Sequence, residues 1–261
     1  MNGTFCISID TELLWGRKDL DYSKFIERTK KERDIIKKLL SLFSKYNINT
    51  TWAIVGKLYE KGDEFWCGKD IVEMIKKKRI HELASHSYSH EDFTKISRKK
   101  AKQEFKKPRA FSFIFPRNHI AYLDLLKKSG FKAYRGPDET NTTKHIIQLI
   151  NLLLNIPPRT SNPIKDKGLI NIPGSMYFVS ARGVRKYIPY GLRLRRAKSG
   201  IDKAISKGQI FHLWFHPVDF ADNEKSLFRE FENILKYAKS KRDKNLLEIK
   251  TMSQIARGFS K

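Results

Sequence analysis

Two groups of residues in this sequence have the types and spacing that hydrolytic metal chemistry requires. His86 and His90 stand four apart in Ala84-Ser85-His86-Ser87-Tyr88-Ser89-His90, and Asp10-Thr11-Glu12 ends an apolar run near the N-terminus. Neutral imidazoles at that spacing, on a turn or a first helical turn, can close on one cation together with a carboxylate. Phe5-Cys6-Ile7-Ser8-Ile9 is β-branched and aromatic, so it reads as a buried strand ending in acid. Asp10 and Glu12 then share one strand face, roughly 6–7 Å apart along it. One carboxylate can hold a metal while its neighbour handles a proton, which leaves open positions for water and substrate.

These groups need elements that bring them together. Asp21 to Tyr46 carries Phe25, Ile35, Ile36, Leu39, Leu40 and Phe43 at helical spacing among charged residues, and residues 50–55 then read as a strand. Lys69 to Lys78 reads as a helix, and His81 to Ser85 as a short strand that delivers His86. A basic helix at 97–107, a strand at 111–115, a helix at 121–129 closed by Gly130 and a strand at 132–134 continue the alternation. Alternating strands and helices predict βα units around a parallel sheet, hence an α/β fold in one domain spanning 1–261. From Pro137 to Arg196 prolines interrupt short apolar pieces, which predicts an inserted lid segment at about 137–200 over the sheet's open end. A strand at 210–216, a helix at 224–239 and a last strand at 246–249 restore the pattern.

At these residues the chain resembles the polysaccharide deacetylases, the NodB-homology superfamily that includes carbohydrate esterase family four. His86-Ser87-Tyr88-Ser89-His90 matches that family's His-Ser/Thr-x-x-His element. Thr50-Thr51-Trp52-Ala53-Ile54-Val55-Gly56 is similar to its second strand, Ser112-Phe113-Ile114-Phe115-Pro116-Arg117-Asn118 to its arginine motif, and Phe211-His212-Leu213-Trp214-Phe215-His216-Pro217 to its last histidine motif. The resemblance implies an irregular parallel (β/α) barrel and hydrolysis of an N-acetyl group from a sugar or glycan. Carried across, Asp10 is the base and Glu12 the metal ligand with His86 and His90, although the family's acids are adjacent and Asp10 as ligand stays open. Arg117, which follows its proline instead of preceding it, would pair with Asp10, and Asn118 would bind substrate. Arg135, in Tyr134-Arg135-Gly136, would be a second arginine near the mouth. His212 and His216 share a strand face but lie roughly 13 Å apart, so only one can reach the chemistry. The family motif makes His216 the general acid, His212 an interior group and Trp214 a wall beside the acetyl pocket. No residue corresponds to the family's partner for that histidine. The implied cofactor is a divalent metal, zinc by default, with cobalt, nickel, iron or manganese also suited to the donor set. A cyclic amide or ureide hydrolase on the same barrel, or a noncatalytic module binding an anionic polymer or membrane surface, are the other readings.

Composition bounds the choice. With 40% hydrophobic residues, 31% charged and a mean hydropathy of −0.54, neither a disordered chain nor an integral membrane protein is expected. The longest apolar stretch, Ile146 to Ile156, is broken by Gln148, Asn151 and Asn155 and falls short of the roughly 20 residues a bilayer span needs. Met1-Asn2-Gly3-Thr4 runs straight into a strand without a signal layout, which predicts a cytoplasmic protein, with a place at the inner membrane surface open. Cys6 and Cys67 suggest no disulfide framework. The net charge of +25 is spread over many lysines, but Gly168 to Ile201 is Arg-rich and holds no acid. Guanidinium groups match phosphate and carboxylate bidentately, so Arg193, Arg195 and Arg196 are predicted to hold an anionic or phosphate-linked substrate. No specific nucleic-acid partner is expected.

Overall fold

The computed structural model describes residues 2–106, 110–138 and 154–259. Strands β1 (Gly3–Thr11), β2 (Thr51–Ile54), β3 (Glu82–Ser85), β4 (Ser112–Ile114) and β5 (Ala133–Gly136) pair side by side in parallel, with helices between them. On the other flank of β1 lies β9 (Ile210–Phe215), parallel to it from Thr4 to Ile9. The sheet curls because residues 169–177 serve both flanks. Their first part, β7 (Leu169–Pro173), pairs with β5, and their second, β8 (Met176–Tyr177), pairs with β9. The short β6 (Ile164–Asp166) is antiparallel to β7, and β10 (Leu247–Ile249) joins the start of β1. The expected α/β barrel of parallel strands is therefore present. Within the stretch expected to be a lid, residues 164–177 are barrel wall and Leu192–Lys207 is a helix packed on β1 and β9; residues 139–153 lie outside the described residues.

Alternation along the strands divides apolar from chemical side chains. On β1, Phe5, Ile7 and Ile9 point outward into the main core, where helix Glu32–Tyr46 supplies Ile35, Ile36, Leu39, Leu40 and Phe43. Cys6, Ser8 and Asp10 point inward. The interior is lined by small residues, Ala53, Ala84 and Ala133 beside Cys6 and Ile114, which leaves room for polar side chains from β1, β5 and β9. A separate aromatic cluster of Phe93, Phe105, Phe113, Phe115 and Phe131 packs outside β4. Both cysteines are free, as expected, and no described helix is long and apolar enough to cross a membrane.

Glu32 is a buried acid at the start of its helix, with one carboxyl oxygen lacking a hydrogen-bond partner among the described residues. Burial, reinforced by the Glu12 charge, pushes its carboxyl up to about 8. Between the ordinary carboxylate range and that value the folded chain holds a proton that the unfolded chain has lost. Stability therefore falls as pH rises through this window, by up to about 1.4 kcal/mol per pH unit. Glu32→Gln should flatten that slope and be the more stable protein at about pH 8, measured by urea midpoints at several pH values. Equal slopes in the two proteins would show that Glu32 ionises normally.

Candidate active site

The site sits where β1, β3, β5 and β9 end. Asp10 closes β1, and Glu12 follows in a tight turn through Leu13, whose φ of 51° is left-handed. Glu12 reaches inward past Gly16, where a Cβ would lie 1.7 Å from its Oε2, so only glycine leaves this carboxylate its place. His86 and His90 come from a loop rather than a helical turn, with left-handed Ser87 and His90. That loop is pinned at many points. The amides of Gly56 and Lys57 donate to the carbonyls of Ser87 and Tyr88, and the His90 amide donates to Ser87 Oγ at 2.9 Å. Buried Glu104 accepts from the Ser89 amide at 2.8 Å and from Ser89 Oγ at 2.7 Å. Glu104 was hidden in a segment that reads as a basic helix.

Glu12 Oε1 lies 3.0 Å from His86 Nε2 and 3.0 Å from His90 Nε2, and all three side chains are buried. His86 Nδ1 stands 2.9 Å from the Ile114 carbonyl, which can only accept, so Nδ1 donates there and Nε2 is turned to Glu12. The two Nε2 atoms and the Glu12 oxygen converge on one point, and an ion of the zinc class fits this donor set. On the other side His216 Nε2 is 3.4 Å from Glu12 Oε1 and 4.0 Å from Asp10 Oδ2. Burial opposes charge on His216, but Glu12 and Asp219 together raise its pKa well above the ordinary range, so the ring is cationic. Asp219 Oδ2, 3.1 Å from His216 Nδ1, is the partner the sequence left unassigned. It stands three residues on, in a capping turn that starts at His216 itself.

Asp10 is gripped by Arg135, not Arg117. Arg135 Nη1 and Nη2 donate to Asp10 Oδ1 and Oδ2 at 2.8 and 2.6 Å, and the guanidinium lies 4.5 Å from the Trp214 ring centroid. Burial pushes the Asp10 carboxyl up, yet the Arg135 charge and the two bonds leave it below its ordinary value. Arg117 instead turns outward through a φ of 59° and pairs with Asp19 at the surface. Asn118, expected on substrate, accepts from Arg135 Nη2 at 2.9 Å and so orients the arginine. Trp214 donates to Asp138 at 2.8 Å and meets the His216 ring edge to face, with centroids 5.9 Å apart. His212 is interior as expected, 2.8 Å from Ser8 Oγ, and burial holds its pKa near 3. His81 is bonded to Thr50, at the opposite end of β3 from His86 and His90.

The three arginines predicted to bind an anion are separated by the fold. Arg193 is buried against Glu230 at 3.2 Å and the Val179 carbonyl at 2.8 Å, and Arg196 is buried on the Ile156 carbonyl at 3.1 Å. Arg195 alone is exposed. A cluster in sequence became two structural ties and one surface charge because helix Leu192–Lys207 turns successive residues about 100° apart.

Residues 26–111 match the polysaccharide deacetylase family model, a stretch that includes His86 and His90 but not Asp10, Arg135 or His216. A Mycobacterium smegmatis protein assigned to the polysaccharide deacetylases superposes with a TM-score of 0.70 at 14% identity, covering 98% of this chain and 89% of that one. A Pseudomonas aeruginosa PAO1 protein of the same assignment gives a TM-score of 0.70 at 12% identity, over 98% of this chain and 90% of the other. The chain shares the fold of these polysaccharide deacetylase structures. This deacetylase fold is also shared by the allantoinase Puue, with a TM-score of 0.69, 12% identity, and coverage of 98% and 89%. No curated protein matches the chain in sequence.

Gly16 offers a direct test of this candidate site. Gly16→Ala should push the Glu12 carboxylate off its position and weaken metal binding by about 10–100-fold, the range seen when the support of a ligand is altered. Metal titration by calorimetry checks it, and unchanged affinity would show that Glu12 is not a ligand.

Proposed function

We propose that this chain is a metal-dependent hydrolase that removes an N-acetyl group from a sugar or glycan. The observation that carries the reading is the convergence of Glu12, His86 and His90 beside an acid held ionised by arginine and a histidine held cationic by a second acid. A divalent ion held by Glu12, His86 and His90 would supply Lewis acidity toward the amide carbonyl and acidify a water. Zinc is the default, and cobalt, nickel, iron or manganese also suit the donors.

The chain's own residues divide the proton work. Asp10, kept as a carboxylate by Arg135, accepts the proton of the attacking water. His216, with Nδ1 tied to Asp219 and Nε2 turned to the acids, donates a proton to the departing amine. Trp214 and Tyr177, with ring centroids 4.7 Å apart, form the apolar side on which an acetyl methyl can rest. An anionic or phosphate-linked sugar suits the mouth, since Arg17 and Arg182 both pack on Phe25 and Arg17 stands 3.7 Å from Glu12.

A metal-loaded preparation offered small, nucleotide-linked and lipid-linked N-acetyl sugars should release acetate. Asp10→Asn should keep the metal and lose about 10²–10⁴-fold in turnover, the usual worth of a general base, whereas Glu12→Gln should weaken the metal. If Asp10→Asn is the variant that loses the ion, the two roles are exchanged. The likeness to an allantoinase supports a second reading, a cyclic amide or ureide hydrolase, which ring opening without acetate release would establish.

A further inference from the structure

We infer that the loop Arg182–Tyr190 docks the protein on an anionic phospholipid surface, beside the mouth of the barrel. The loop follows β8, whose Tyr177 packs on Trp214 and against His216, so it leaves the barrel at the end that carries the site. It presents Tyr187 at 74% and Tyr190 at 49% exposure, with Arg182, Lys186 and Pro189 also exposed. Large aromatic side chains left outside the core need a reason, and here each lies under a cation. Lys186 Nζ stands 5.0 Å from the Tyr187 ring and Arg229 stands 5.1 Å from the Tyr190 ring.

Tyrosine and long basic side chains suit a bilayer interface, where an apolar body meets acyl chains while the polar tip stays among headgroups. Charge complementarity points the same way. No acid occurs between Gly168 and Ile201, and the whole chain carries +25. An anionic leaflet attracts each nearby Lys or Arg by about 1 kcal/mol. The patch is continuous with the rim of the site, because Arg182 stacks on Phe25 at 4.5 Å and the segment before Phe25 exposes Leu20 and Tyr22. Docking there needs no catalysis, so it stands or falls apart from the deacetylase reading.

The test is cosedimentation of the full chain with phosphatidylcholine vesicles and with vesicles made anionic by phosphatidylglycerol. Binding is expected to the anionic vesicles only, weakening as salt rises. Arg182→Gln with Lys186→Gln should weaken it roughly 30-fold, two surface cations at about 1 kcal/mol each. Lys76→Gln with Lys77→Gln removes the same charge where helix Lys69–Lys77 leads into the start of β3, at the opposite barrel end, and should change binding less than about twofold. Tyr187→Ser should weaken binding severalfold without lowering the melting temperature. The inference fails if the parent ignores anionic vesicles, if the two double variants lose binding equally, or if Tyr187→Ser binds like the parent. It fails too if the chain captures soluble inorganic polyphosphate but no vesicle.

Discussion

His86→Ala or His90→Ala is expected to lower metal affinity more than ~100-fold, beyond the range produced by disturbing a ligand's support alone. Each imidazole places Nε2 3.0 Å from the same Glu12 oxygen, so removing either leaves two donors where three converge. The fold should survive. Both rings sit beyond the strand ends, and the loop is held by Glu104, Gly56 and Lys57 through backbone and Ser89 contacts that the substitutions spare. Elemental analysis and circular dichroism of the purified variants check both halves. Metal content equal to the parent in both variants would place the ion elsewhere.

Arg135→Met should be the most destabilising single change in the site. It strips a buried carboxylate of its partner, and breaking a buried ion pair from one side costs about 3–5 kcal/mol. At 2–4 °C per kcal/mol for a domain of this size, the melting temperature should fall by roughly 10 °C. Turnover should fall with it, because an unpaired buried Asp10 gains its proton and can no longer act as base. Adding Asp10→Asn to Arg135→Met should recover much of the stability and none of the turnover, which separates charge burial from lost packing. The pair also gives acid sensitivity of defined sign. Asp10 is held below its ordinary value, so its contribution is complete above the unfolded carboxylate range and is lost as pH falls through the folded value. A double variant no more stable than Arg135→Met alone would mean that Asp10 pays no penalty for losing the arginine.

Much of the site was legible because strand ends announce their cargo. Asp10 and Glu12 terminate β1, the His86 loop follows β3 directly, and His216 follows β9, each at a switch from apolar alternation to polar residues. What failed was partner choice. Arg117 sits in the motif-like position after β4, but left-handed φ angles at Arg117 and Asn118 turn it outward. Arg135 looked like a mouth residue, yet its place in β5 beside Ala133 puts it on the inward face, where small neighbours let it cross the barrel to Ser8 and Asp10. An arginine at an inward position of a strand was the available signal. Glu104 and Asp219 had no comparable signal, since a lone acid in a basic helix or after Pro217 reads as surface.

The amino-acid sequence by itself determined the α/β class, the strand faces, and which acids and imidazoles stand at strand ends, because periods of 2 and 3.6 and side-chain chemistry are local properties. Only the tertiary structure decided that Arg135 rather than Arg117 holds Asp10, that Asp219 holds His216, and that Arg193 and Arg196 are buried ties instead of anion binders. The Asp10–Arg135 pair spans 125 positions across a curled sheet and is set by strand register and by where the barrel leaves space. The role of Asp10 depends on the arginine that the curled sheet brings to it at 2.6 Å, and that partner is not written next to it in the chain.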